Sequence, residues 1–171
     1  IPAWPHTNYT PCTVGTYLDD CNREQGPMGF VKGSHNGPIY SEYDAEGRWV
    51  GCLSKDDAAT IDMSKVVYLE APAGSLTIHN CRSLHYSEPN NSPIARPLLL
   101  YVYSNANAMP YSANPIPSKH SGAIVRGKPA QWAFHDPRPC LLPPTGPRRA
   151  TRRCSPSNRA RTSRTLRAPG A

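Results

Sequence analysis

Apolar residues come in short bursts along this chain, each closed by Gly, Pro, Asn or Asp. The densest burst, "RPLLLYVYS" (96–104), gathers aromatic and branched side chains and predicts a strand. "CTVGTYL" (12–18) predicts a short strand followed by the acidic turn "DDCNREQGP". "MGFVKGSHNGP" (28–38) predicts a strand running into a Gly-rich loop. "KVVYLEAPAGS" (65–75) predicts a strand ending in a Pro/Gly turn, and "LTIHN" (76–80) the next strand. Between them, "SEYDAEGRWVG" (41–51) reads as a loop, and "SKDDAATIDM" (54–63) as one short helix capped by Ser54. Short strands with a turn about every ten residues predict an antiparallel sandwich or jelly roll. From residue 105 the pattern fades into "NANAMPYSANPIPSKHSG", which reads as surface loop.

Composition supports this reading and narrows it. A chain of 171 residues suits one domain, and 20 prolines with 12 glycines favour a mainly β plan over a helical bundle. No run of about 18 apolar residues predicts a membrane span, and the first residues carry no secretory pattern. The chain opens on Ile1, which leads us to expect processing or a missing start. Its six cysteines (12, 21, 52, 81, 140, 154) are scattered without a C-x-x-C pair, as expected of reduced thiols in the cytoplasm. The formal charge of +7 is local: residues 148–171 hold eight arginines and no acid, leaving 11 basic against 12 acidic residues in 1–147. The body therefore has no electrostatic reason to bind nucleic acid.

Candidate chemistry lies in "IHNCRSLHYSEPNNSPIARPLLLYVY" (78–103). His85 stands just before a Pro/Asn turn, and Arg96 returns at the head of the strand after it. A ferrous oxygenase takes two imidazoles and a carboxylate on one face of its metal and keeps the other face open. A 2-oxo diacid chelating that metal needs a cation for its far carboxylate, and the arginine fork suits it. Ser87 and Asn90, in the turn, are placed to orient such a chelate. On spacing alone, a structural histidine and a surface arginine are the stronger reading.

Context changes that balance. "WPHTN" (4–8), "YLDDCNREQGPM" (17–28), "KGSHNGPIY" (32–40), "APAGSLTIH" (71–79), "LHYSEPNNS" (84–92) and "ARPLLLYVY" (95–103) together resemble the phytanoyl-CoA dioxygenase family, over about residues 1–143. The resemblance implies a double-stranded β-helix (jelly roll, cupin-like) that uses Fe(II) and 2-oxoglutarate to hydroxylate a small organic or acyl substrate with O2. It implies that His85 is the distal iron ligand and that Arg96 grips 2-oxoglutarate. Ser87 is implied as a second co-substrate contact and Thr16 as a weaker one. Gly33, Ser34 and His35 match the family's Pro-Gly-Ser-His turn, with Lys32 in place of the proline, and read as structural.

Two departures qualify these expectations. The family's His-x-Asp pair falls, in this register, just before Ile1, so the domain is expected to be incomplete and inactive alone. His6 and Asn8 have the spacing of that pair, but an amide is a poor iron ligand. Tyr86 stands where the family commonly has Gly, and either narrows the space beside the metal or turns outward. His79, Tyr86 and His6 are the substrate-pocket candidates.

The resemblance stops near "LLPP" (141–144). Residues 144–171 are expected to be a disordered Arg-rich tail whose composition is that of GC-rich DNA read out of register. Other readings are a cupin-like binding protein without catalysis, a halogenating relative, and a basic nucleic-acid binder acting unspecifically through the tail.

Overall fold

The computed structural model describes residues 4–114 and 117–144. The expected tail lies outside them from residue 145 onward, and so does Cys154.

Five strands form where the apolar bursts predict them: β1 (Cys12–Tyr17), β2 (Met28–Val31), β3 (Val66–Tyr68), β4 (Leu76–Asn80) and β6 (Leu98–Tyr103); β5 (His85–Ser87) forms at the edge of the expected Pro/Asn turn, where no burst predicts a strand. They build two antiparallel three-stranded sheets, ordered β4-β1-β6 and β3-β2-β5. The fold is thus mainly β, and the chain passes back and forth between the two sheets as a jelly roll requires. Among the described residues no helix is long and apolar enough to cross a membrane.

Several elements are shorter than the sequence suggests. The helix α1 (Lys55–Ala59) is capped as expected, with Ser54 Oγ accepting the Asp57 amide at 3.0 Å. It stops at Thr60, whose hydroxyl donates back to Asp57 O at 2.7 Å, and Asp62 then caps a separate turn over Met63–Lys65. The second strand ends at Val31 because Gly33, at φ 76°, turns the chain. Ser34 in that turn accepts the Leu84 amide at 2.8 Å, so the Gly-Ser-His segment holds the chain entering β5.

The core is small and sits between the sheets. Tyr17, Cys21 and Met28 are buried there, with Pro27 and Thr77. Tyr17 reaches from β1 to the other sheet and donates its hydroxyl to Leu69 O at 2.6 Å. Cys21 and Ala71 exchange main-chain bonds of 2.8 and 3.0 Å beside it.

Among the described residues after β6 there is no strand, as expected, yet the stretch is tied down. Thr7 N donates to Met109 O at 2.8 Å, Tyr111 N to Pro5 O at 2.8 Å, and Asp136 N to Thr7 O at 2.7 Å. Asn8 Nδ2 adds a bond of 3.0 Å to Phe134 O and one of 3.2 Å to Asn107 Oδ1. Asn8 is therefore committed to tying the segment before β1 to the stretch after β6, and the His-x-Asn spacing has a structural cause.

Candidate active site

The registry of β2 and β5 decides which side chains face the inter-sheet space. Phe30 stands opposite His85 and Met28 opposite Ser87, while Gly29 lies between Tyr68 and Tyr86. With a side-chain period of two, His85 and Ser87 share the Phe30 face, and Tyr86 takes the other. His85 stacks on Phe30 at 5.2 Å between ring centroids. His79, from β4 of the opposite sheet, approaches the same pair at 4.7 Å from Phe30 and 5.0 Å from His85.

His85 is oriented as well as placed. Its Nδ1 lies 2.9 Å from Ser83 O, which can only accept, so Nδ1 carries the proton and Nε2 keeps its lone pair. This is the arrangement that prepares an imidazole for a metal.

Arg96, two residues ahead of β6, reaches across to the same face. Its Nη2 donates to Ser87 Oγ at 3.3 Å, and its Nε is buried with no hydrogen-bond partner. Burial raises both Tyr17 and Cys21, and the guanidinium of Arg96 opposes that rise in each, so its charge bears on the buried centre. Thr77 Oγ1 and His79 Nδ1, from the facing sheet, are also buried without partners. Unmet polar atoms of this kind are uncommon in a folded interior and call for a ligand. Two steps along the strand carry the chain from His85 to Ser87, about 7 Å. An imidazole at one end and an unsatisfied guanidinium at the other therefore fit a short keto diacid. For iron the fit is partial: His85 offers one imidazole nitrogen, and no group of three His, Cys, Asp or Glu among the described residues is placed to hold a metal.

The remaining expectations divide. Tyr86 turns outward, packs over Gly29 and shares its hydroxyl with Tyr68 at 2.6 Å and Glu88 at 3.2 Å. Burial and those two bonds push its pKa up. A Cβ at Gly29 would stand 2.9 Å from the Tyr86 ring and 3.1 Å from that of Tyr68, so the glycine makes room for both. Tyr86 thus leaves the space beside the His85 imidazole open.

Thr16 is not brought to the site. It pairs with Leu76 and Leu99 between the buried Gly15 and Tyr17, so its side chain lies on the outer face of β1. Asn90 shapes the turn, donating to Ile94 O at 2.8 Å and accepting the Ser92 amide at 2.9 Å. His6 is buried, donates Nδ1–H to Trp4 O at 2.8 Å, and has its pKa lowered mainly by burial.

A cavity of about 600 Å³ opens at the end of the sheets where β5 begins. His85, Tyr86 and His6 line it, whereas His79 does not. Arg82 and Leu84 also line it. The sequence singles out neither: Arg82 falls between the quoted motifs, and Leu84 only opens "LHYSEPNNS".

His79 makes the fold sensitive to acid. Burial, with the neighbouring His85, lowers its pKa from 6.5 to about 4. Between those values the unfolded chain takes a proton that the folded one refuses, so stability falls as pH drops from about 6.5 towards 4. Urea unfolding across that range should show the loss for the parent chain and a flatter profile for His79→Phe. His6, lowered in the same direction, leaves a residual slope.

These features bring an oriented imidazole, a serine and a buried guanidinium nitrogen to one face of a mainly β fold. The model of the phytanoyl-CoA dioxygenase family matches residues 1–98, and the chain belongs to that family. The probable alpha-ketoglutarate-dependent hypophosphite dioxygenase of Stutzerimonas stutzeri is 32% identical over 146 residues, covering 84% of this chain and 50% of that protein. The chain thus spans about half the length of that curated relative. Two solved structures are also similar. EvdO2 from Micromonospora carbonacea var. aurantiaca, complexed with 2-oxoglutarate, is 24% identical with a TM-score of 0.48, over 71% of this chain and 46% of its own. The non-heme alpha ketoglutarate dependent carbocyclase SnoK from nogalamycin biosynthesis is 24% identical with a TM-score of 0.49, over 77% and 49%.

Proposed function

We propose that the protein is an iron(II)- and 2-oxoglutarate-dependent dioxygenase that hydroxylates a small organic or acyl substrate. The observation that carries this is the shared face of His85, Ser87 and Arg96, with the Arg96 Nε buried and unpartnered. Arg96, steadied by Ser87, holds the far carboxylate of the keto acid through its planar fork. His85 offers Nε2 to iron, with Ser83 O fixing the tautomer. Phe30 and His79 pack against the imidazole and fix the orientation of its ring. Bound iron would supply the activation of O2, and decarboxylation of the keto acid to succinate and CO2 would supply two of the electrons.

Two imidazole- or carboxylate-bearing ligands beyond His85 are needed, and a preceding Trp-His-Gln-Asp segment is the source that the family pattern supports. The partners in this reading are the substrate and O2. Nucleic acid has no part in it, since the arginines of 148–171 would hold phosphate only unspecifically. Free thiols at Cys12, Cys21, Cys52, Cys81 and Cys140 support a cytoplasmic location. The test joins a Trp-His-Gln-Asp segment ahead of Ile1 and measures succinate formed from 2-oxoglutarate with iron and ascorbate. Succinate dependent on iron and lost in His85→Ala supports the reading; no turnover with any substrate class overturns it.

A further inference from the structure

The cavity beside His85 has a chemistry of its own. Its walls are largely apolar, with Ile39, Leu53, Ile61, Met63 and Leu84 among them. Its volume of about 600 Å³ falls in the range that encloses organic molecules, far above the need of a small inorganic ion. Two charged side chains other than histidine line it, Glu42 and Arg82. Glu42 is engaged, accepting Trp49 Nε1–H at 2.9 Å.

Arg82 is held in place and yet forms no salt bridge among the described residues, although its charge helps to hold the Asp136 carboxyl low. Its Nη2 donates to Gly37 O at 2.6 Å, and its guanidinium sits 4.7 Å from the centroid of the Tyr9 ring. The nearby Asp136 is taken by Arg138, at 2.7 Å. Arg82 has no ion-pair partner among the described residues, and its Nε and Nη1 make no hydrogen bond there. A half-buried arginine on an apolar wall, joined to no carboxylate by a salt bridge, keeps part of its fork free for an anion. One cation facing one engaged carboxylate also favours a single negative charge over a dianion.

We propose that this cavity binds a monocarboxylate with an apolar body, its carboxylate on Arg82 and its chain directed towards His85. The inference rests on the proposed function only for what the chain meets at His85, because binding itself needs neither iron nor 2-oxoglutarate.

The probes are octanoate and octan-1-ol, which share a body and differ in charge, together with hypophosphite as a small anion. Titration calorimetry on the full chain should give octanoate at least about tenfold tighter than octan-1-ol, a difference removed by Arg82→Gln. Cys52, Cys81 and Cys140 also line the cavity, whereas Cys12 lies outside it. Bound octanoate should therefore slow alkylation of Cys81 and leave Cys12 unchanged, read by mass spectrometry. Ile61→Trp fills the cavity from another wall without touching Arg82. It should abolish octanoate binding while 2-oxoglutarate still binds, which guards against Arg82→Gln acting through misfolding.

Equal affinity for acid and alcohol, retention of octanoate by Ile61→Trp, or displacement of octanoate by equimolar hypophosphite would each overturn the proposal. Octanoate binding without any succinate formation by the chain extended with the Trp-His-Gln-Asp segment would sink the oxygenase reading and leave this one standing. Succinate formation without octanoate binding would do the reverse.

Discussion

Replacing Arg96 with Gln is expected to weaken 2-oxoglutarate binding about 100-fold, and replacing it with Lys about tenfold. The first change removes both the charge and the fork; the second keeps the charge but not the paired parallel bonds. Neither should unfold the chain. Arg96 makes a single long bond, 3.3 Å to Ser87, and its buried Nε already lacks a partner. Calorimetric titration of 2-oxoglutarate into the metal-free chain measures the effect, with thermal melting as the check on folding. Unchanged affinity in Arg96→Gln would remove Arg96 from the site and the co-substrate with it.

The largest loss of stability is expected from Gly26→Ala. Gly26 closes the turn after Arg23–Gln25 at φ 67°, a left-handed conformation that costs a residue with a Cβ about 1 kcal/mol or more. The added Cβ would also collide with the main-chain carbonyl of Glu88, and would lie 2.8 Å from that of Pro89. Backbone yields far less readily than a side-chain tip, so the combined cost should reach about 3 kcal/mol, or roughly 6–12 °C in Tm. Gly33→Ala is the control: it has φ 76° but nothing within 4 Å of its Cβ, so it should cost about 1 kcal/mol. The difference between the two isolates the collision. Because Glu88 and Pro89 directly follow Ser87, Gly26→Ala should also weaken 2-oxoglutarate binding where Gly33→Ala does not.

Five of the strands are legible in the sequence because each is a burst of branched and aromatic residues between turn formers; β5 is not, since its three residues, "HYS", become a strand only by pairing with β2. The inward direction of His85 and Ser87 follows from their spacing, and the same period of two turns Tyr86 outward once His85 is fixed. The misplacement of Thr16 has the mirror cause. It adjoins Tyr17, whose large ring claims the inter-sheet face and sends its neighbour to the other side. The helix and the early strands end sooner than expected because single polar side chains, Thr60 and Asp62, and one left-handed glycine, Gly33, close them locally. Arg82 was out of reach for a different reason. Its setting is made by Tyr9 and Gly37, far apart in the chain, and no local pattern announces a meeting of that kind.

Ser87 belongs to one sheet and Arg96 leads into the other, so the bond between them crosses the seam that Tyr17 also bridges. Any diacid seated there acts as a rivet through both layers. Occupancy and cohesion then become one quantity: the better the pocket is filled, the less readily the halves part, and starvation for the keto acid would loosen the protein itself.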